Sequence, residues 1–237
     1  DVLLFGAATP GTKEYNIGWP SIGCDIAASV YDPDAAMALL DEAGFTDEDG
    51  DGIRECNGCL YAAQGDPLRL KLQTSTGNEL REQAELLIEY WNEVGIDGYI
   101  ENVPSSVLFG SWSSGAFRKH GQYDVLMYTT SGLIDPHSQI FGYFSTTQMP
   151  TEANAGSGFN YSRWVNPAED QLTAAGNSAD IEERKALYCE VMQAVADELP
   201  HIYLYDRAEI HATREGLMGY EVNTWDNQPW NVAEWYW

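Results

Sequence analysis

The chain has 237 residues, 44% of them hydrophobic and 12% aromatic, with 8 Trp and 14 Tyr, a length and composition that allow one large domain or one and a half and exclude a disordered acidic tail. Asp and Glu number 37 against 12 Lys and Arg, a formal net charge of −25; such a field repels phosphate backbones and anionic headgroups and so excludes nucleic acid and membrane surfaces as partners. No apolar run approaches the roughly 18 residues that cross a bilayer, and no charged stretch followed by an apolar one opens the chain.

The sequence begins at Asp1 and runs straight into Val2-Leu3-Leu4-Phe5, which reads as ordered chain and therefore as a processed product or an excised fragment. Up to Cys24 the stretch is rich in Gly and Pro (Pro10-Gly11, Gly18, Pro20, Gly23) and reads as a loop crossing a surface. Asp32 as N-cap, Pro33 at the first helical position, Met37 and Leu40 on one face and Gly44 as the stop predict a first helix. Residues 68–74 alternate strictly between apolar and polar, the period of a half-buried strand. Leu80, Ala84, Leu87, Ile88, Trp91 and Val94 then recur at helical spacing up to Gly95, and 96–102 reads as a second strand. Strand, helix and strand in that span make a βαβ unit with parallel strands, so the class is α/β.

An amphipathic segment (Val107, Leu108, Trp112, Phe117) leads to a third strand over 123–128. One later helix opens at Asn166-Pro167, and another runs over 180–199, where Asp180 and Glu183 form a capping box and Pro200 ends the helix. The aromatic tail, 201–237, reads as short strands and turns. The chain contains no internal repeat and no low-complexity run.

Catalytic signatures are absent: there is no nucleophile elbow, no paired-His zinc motif, no phosphate-binding loop and no dinucleotide fingerprint. His120, His137, His201 and His211 are scattered and read as structural. In 47–55, Asp47, Asp49 and Asp51 occupy alternate positions, Gly52 permits a sharp turn, and Ile53 supplies a backbone carbonyl, the first half of an EF-hand-type calcium loop. The twelfth position, where a bidentate Glu belongs, is Gly58, so Glu55, water or a distant residue would have to complete the site; a solvated Asp/Gly turn is the other reading. Cys56-Asn57-Gly58-Cys59 combines a C-x-x-C with an Asn-Gly pair that favours a type I′ hairpin. A disulfide between Cys56 and Cys59 ranks first there, free buried thiols second, and zinc or redox chemistry last. The polar loop 128–138 follows the third strand, where open α/β sheets bind ligands beyond the carboxyl ends of their strands, although an ordinary Asp-Pro turn explains it equally.

Several segments in fixed order resemble one family. Tyr31-Asp32-Pro33-Asp34 through Phe45, the run 47–55, the strand 68–74 with its helix, Tyr123-Asp124, Asp135-Pro136-His137, Asn160-Tyr161-Ser162-Arg163-Trp164, residues 199–205 and the aromatic end at Trp230-Asn231 and Trp235-Tyr236 are similar to the family 5 extracytoplasmic solute-binding proteins of peptide, oligopeptide and nickel ABC importers. The resemblance spans nearly the whole chain. It implies part of a protein about twice as long whose two lobes close on a ligand, so that this chain corresponds to the C-terminal part and lacks the N-terminal lobe. Residues 1–199 would form most of the second lobe, a type II periplasmic-binding-protein fold with a mixed sheet flanked by helices, and 200–237 would return to pack on the first lobe.

Peptide-binding relatives often carry an acidic residue about three positions before the Asp-Pro, to hold the peptide's amine; here that position is Gly132. The expected function is the noncovalent capture, in an interlobe cleft, of a small ligand, peptide first, with nickel chelate, opine and oligosaccharide open. Tyr128, Thr129, Thr130, Ser131, Gly132 and Asp135 would line the cleft, with Trp112 and Phe141 as apolar walls. No cofactor is required, calcium at Asp47 to Glu55 being an optional addition. The expected partners are a small ligand and a membrane permease, the expected state a monomer, and the expected location extracytoplasmic, in the periplasm or lipid-anchored at the cell surface. The rival classes are a hydrolase or thiol-redox enzyme on the same scaffold and a calcium-stabilised structural module.

Overall fold

The computed structural model describes residues 6, 8–12, 24–27, 30–76, 78–131, 135–208, 210–223 and 228–237; the segment 2–5, most of the predicted surface loop and Gly132 lie outside them. The chain folds as two compact units, one from residues 29–130 and 146–165, the other from 1–28, 131–145 and 166–237.

The first unit is built on a parallel sheet in the order β5-β4-β6. β4 (Arg69–Ser75) pairs with β5 (Asp97–Val103) along its whole length, from Arg69 opposite Asp97 to Ser75 opposite Val103, and with β6 (Val125–Leu126) at Leu72 and Gln73. α2 (Asn78–Glu93) joins β4 to β5, giving the βαβ unit expected from the periodicity. Leu72, Ala84 and Met127 are buried between sheet and helix, with Leu80, Leu87, Ile88, Trp91, Ile100 and Val125 packed around them. Alternation in β4 implies one wet face, yet Leu72, Gln73 and Thr74 are all fully buried. β4 is the central strand, and both α2 and α3 (Ser105–Leu108) pack against it. The Gln73 amide donates to Glu101 at 2.9 Å, which offsets part of the cost of burying it.

α1 (Pro33–Glu42) starts as its cap requires, the Asp32 carboxylate accepting the Ala35 N–H at 2.9 Å. The helix buries no residue completely; it is held at its edge by the Tyr31 hydroxyl, which donates to Glu93, and by the Tyr31 ring against Tyr90 at 5.3 Å. Gly44 follows with φ +81°, where a Cβ would lie 2.7 Å from the Cys59 backbone nitrogen, so only glycine fits the stop. β2 (Phe45–Thr46) and β3 (Glu55–Cys56) then form a hairpin around the acidic turn. Farther along, α4 (Phe117–His120) precedes β6, and the third predicted strand, 123–128, is reduced to the two residues that pair with β4.

The second unit contains α5 (His137–Phe144), α6 (Glu169–Asn177) and α7 (Ile181–Glu198). Leu172 and Ala175 of α6 and Tyr188, Val191, Met192 and Val195 of α7 form its buried faces. Asp180 caps α7, accepting the N–H groups of Glu182 and Glu183 at 2.9 and 3.1 Å. The box closes differently from the expected pattern: the Glu183 carboxylate accepts from the Ser178 hydroxyl, which in turn accepts the Asp180 N–H. α6 starts at Glu169, two residues after the predicted Pro167, with the Asn166 side chain accepting the Ala168 N–H. Part of the predicted surface loop is a strand, β1 (Ala8–Pro10), antiparallel to β7 (Tyr205–Arg207). Three residues ending in proline carry no readable period, and their partner lies almost 200 residues away. Among the described residues no helix is long and apolar enough to cross a membrane.

Candidate functional site

The polar loop leaves β6 at the carboxyl end of the parallel sheet, because β6 runs in the same direction as β4 and β5. Tyr128 is half-buried, its ring edge-on to Phe109 at 5.9 Å, whereas Thr129, Thr130, Ser131 and Asp135 are exposed. Tyr128, Thr129, Thr130 and Trp112 belong to the first unit, and Ser131, Asp135 and Phe141 to the second.

Phe109 is held in turn by Arg118, whose guanidinium lies 4.7 Å from the Phe109 ring and 4.8 Å from the Tyr161 ring and donates to the Phe109 carbonyl. This stack fixes Tyr128 at the base of the loop, a role that the spacing of Phe109, Arg118 and Tyr161 in sequence did not announce. Trp112 stacks on His120 with centroids 3.9 Å apart, its carbonyl lies 2.9 Å from the His120 Nε2, and Gly156 packs so closely that a Cβ there would sit 2.3 Å from the Trp112 Cβ. These contacts fix the orientation of the half-buried indole.

At the far end of the loop, Asp135 accepts the His137 N–H at 2.9 Å and the Arg184 guanidinium at 2.8 Å. Arg184 also donates to the Ala175 carbonyl and to the Tyr188 hydroxyl, and that hydroxyl lies 3.2 Å from the His137 Nδ1. The Arg184 hydrogen bond holds the Asp135 carboxyl below its ordinary range, and reciprocally Asp135 raises the Arg184 pKa. Burial, then the Arg184 charge, lowers the His137 pKa against the opposing pull of Asp135. Gly176 backs directly onto that ring, a Cβ there falling 2.3 Å from Nε2. The Asp-Pro-His corner is thus clamped to α6 and α7, with the Asp135 carboxylate engaged by the protein. Phe141 lies one turn further along α5, its ring 5.4 Å from His137. Arg184 lies 49 residues beyond Asp135, a separation at which sequence holds no signal.

The acidic turn brings one oxygen each of Asp47, Asp49, Asp51 and Glu55 within 4.8 Å of one another. Asp47 accepts the Gly50 and Gly52 N–H groups, Asp49 that of Asp51, Asp51 that of Ile53, and Glu55 that of Glu48. Hard carboxylate oxygens suit calcium, while the twelfth position of an EF-hand loop, which supplies a bidentate Glu, is Gly58. Cys56 and Cys59 are disulfide-bonded, and so are Cys24 and Cys189, 165 residues apart. The turn between the first pair is not type I′, which needs two residues at positive φ: Gly58 has φ +88° and Asn57 does not. β3 continues instead to an antiparallel bridge between Glu55 and Pro67, with 57–65 as a longer loop.

Comparison with known proteins gives a consistent result. The oligopeptide-binding protein AppA of Bacillus subtilis is 24% identical over 214 residues, which cover 90% of this chain and 36% of AppA. The nickel-binding periplasmic protein of Escherichia coli is 25% identical over 85% of this chain and 36% of that protein. The chain therefore spans about a third of the length of these curated relatives. AppA in complex with a nonapeptide superposes with a TM-score of 0.76 at 22% identity, over 99% of this chain and 43% of that one. NikZ of Campylobacter jejuni in complex with Ni(L-His) gives a TM-score of 0.74 at 21% identity, over 98% and 44%. The fold is accordingly the α/β fold of the type II periplasmic binding proteins, and the relatives are solute-binding proteins rather than enzymes. Residues 1–151 match the description "Bacterial extracellular solute-binding proteins, family 5 Middle", and the chain belongs to family 5 of the bacterial extracellular solute-binding proteins.

Proposed function

We propose that this chain is the C-terminal part of the substrate-binding component of an ABC importer, working outside the cytoplasm with a membrane permease and capturing a small ligand noncovalently between two lobes. The observation that carries the reading is the family match over residues 1–151. In this reading residues 1–199 supply most of one lobe, 200–237 return to the other, and the protein acts as a monomer. Tyr128, Thr129, Thr130, Ser131 and Gly132 line the cleft with hydroxyls and backbone amides, Phe141 adds an apolar wall, and Asp135 acts by fixing the loop's end through Arg184. Trp112 remains a candidate second wall.

A peptide is the favoured ligand, since AppA was captured with a nonapeptide. A nickel chelate held by His137 is less favoured, because that ring already faces Tyr188 and Gly176. A thermal-shift screen of the full-length protein against peptide pools, nickel chelates and oligosaccharides tests the reading. A ligand at about 100 times its Kd adds about 2.7 kcal/mol and raises Tm. A shift with peptides alone is the expected result, and no shift with any class removes the importer assignment.

The convergence of Asp47, Asp49, Asp51 and Glu55 supports a second, separable element, a calcium ion clamping the hairpin without touching the transported ligand. Calcium should then raise Tm and a chelator reverse the rise. Equal melting with and without calcium identifies a solvated turn instead.

A further inference from the structure

The loop that follows β3 has a stiff base and a bare apex. Its base carries the Cys56–Cys59 disulfide and a set of short hydrogen bonds: Cys56 N–H to the Asp66 carbonyl at 2.8 Å, Gly65 N–H to the Cys56 carbonyl at 2.8 Å, Asn57 N–H to the Gly44 carbonyl at 2.6 Å and Ala63 N–H to the Asp66 carboxylate at 3.0 Å. Gln64 ties the two limbs together, accepting the Gly58 N–H and donating to Asn57. Between these anchors Leu60 is 84% and Tyr61 97% exposed. Single exposed apolar residues are ordinary. An adjacent Leu-Tyr pair set between a disulfide that ends at Cys59 and the hydrogen bonds of 63–66 is different, because both limbs of its short span are fixed and the apex has little chain with which to fold back onto the protein.

The surroundings define what fits this apex. The Asn57 amide donates to Glu48 at 2.9 Å, which draws the acidic turn with Asp47, Asp49, Asp51 and Glu55 alongside. A second copy of so acidic a surface is repelled, and so are anionic lipid headgroups. A protein surface with an apolar socket rimmed by Lys or Arg is complementary in both respects, and tyrosine is among the residues that dominate such contacts.

We propose that Leu60 and Tyr61 form a docking knob, fringed by the acidic turn, that engages a basic-rimmed apolar socket on the membrane subunit of the importer. This rests on the importer reading. The test immobilises nanodiscs carrying the complete cognate importer and passes the full-length binding protein over them, with casein hydrolysate as the peptide source. The expected result is that the double variant Leu60→Ser, Tyr61→Ser, which melts like the wild type because neither side chain is packed, has a Kd weaker by at least about tenfold. Wild-type binding should also weaken as salt rises from about 50 to about 300 mM, through screening of the acidic fringe. A variant that binds with the wild-type Kd overturns the knob alone. Wild-type protein that ignores the importer discs overturns the importer reading and the partner assigned here with it.

Discussion

Arg54 shows how one residue of a polar turn becomes a structural centre. It sits in the acidic run yet is buried, its Nε–H donating to the Val94 carbonyl at 2.8 Å and its terminal nitrogen to the Phe45 carbonyl at 2.7 Å and to Asp41. These partners close the ends of α2 and α1 and the start of the hairpin. Gly95 is required beside it, since a Cβ there would lie 2.8 Å from the Arg54 Cγ. Arg54→Met should cost about 2–4 kcal/mol in urea denaturation by leaving the buried Val94 carbonyl and the half-buried Phe45 carbonyl without their donor; a loss under about 0.5 kcal/mol would contradict this role. His201 makes a pH prediction. Its ring is enclosed by Tyr143, Phe144 and Tyr203, and burial pushes its pKa down to about 4. Between about pH 6.5 and 4 the unfolded chain binds the proton that the folded chain refuses, so stability falls as pH drops through that window, by at most about 3 kcal/mol. Asp135, whose pKa is lowered, acts in the same direction at lower pH, its stabilisation being lost as the carboxylate protonates. His201→Phe should flatten the wild-type loss between pH 7 and pH 4.5, measured by denaturant titration at each pH.

At the scale of elements, local signals and tertiary pairing separate cleanly. Asp32 and Asp180 are recognisable caps because a cap is a contact between residues two or three apart; Asp180→Ala should cost about 1 kcal/mol. The two disulfides differ in the chain they close. In the loop-entropy account a bridge across 165 residues restricts the unfolded state by about 5 kcal/mol and one across three by about 2 kcal/mol. Replacing Cys24 and Cys189 by Ser should therefore lower stability more than replacing Cys56 and Cys59. The reverse order, by equilibrium denaturation, would assign the short staple a larger role than loop closure allows. β4 was legible as a strand from its alternation, but its burial on both faces follows from neighbours that alternation does not encode. β1 was read as loop because, among the described residues, it pairs with β7 alone, almost 200 residues away.

For the whole molecule, the −25 charge sets a field that repels phosphate backbones and anionic headgroups. The order of weak motifs along the chain identified the family, since each motif serves a local need: a cap, a tight turn, a strand followed by its helix. Only part of the candidate site was equally legible. Its position at the carboxyl end of the parallel strands followed from the predicted βαβ unit, because strand direction and loop placement are consequences of chain order. What Asp135 does was decided by tertiary structure, because Arg184, 49 residues later, arrives on α7 and takes its carboxylate. The stack of Phe109, Arg118 and Tyr161 behind Tyr128 and the pairing of Cys24 with Cys189 are of the same kind. By itself the sequence determined the class, the caps, the βαβ unit and the family, all written in neighbouring residues or their order. The partners of charged and aromatic side chains were left to the tertiary structure, because folding brings together groups whose separation along the chain carries no period.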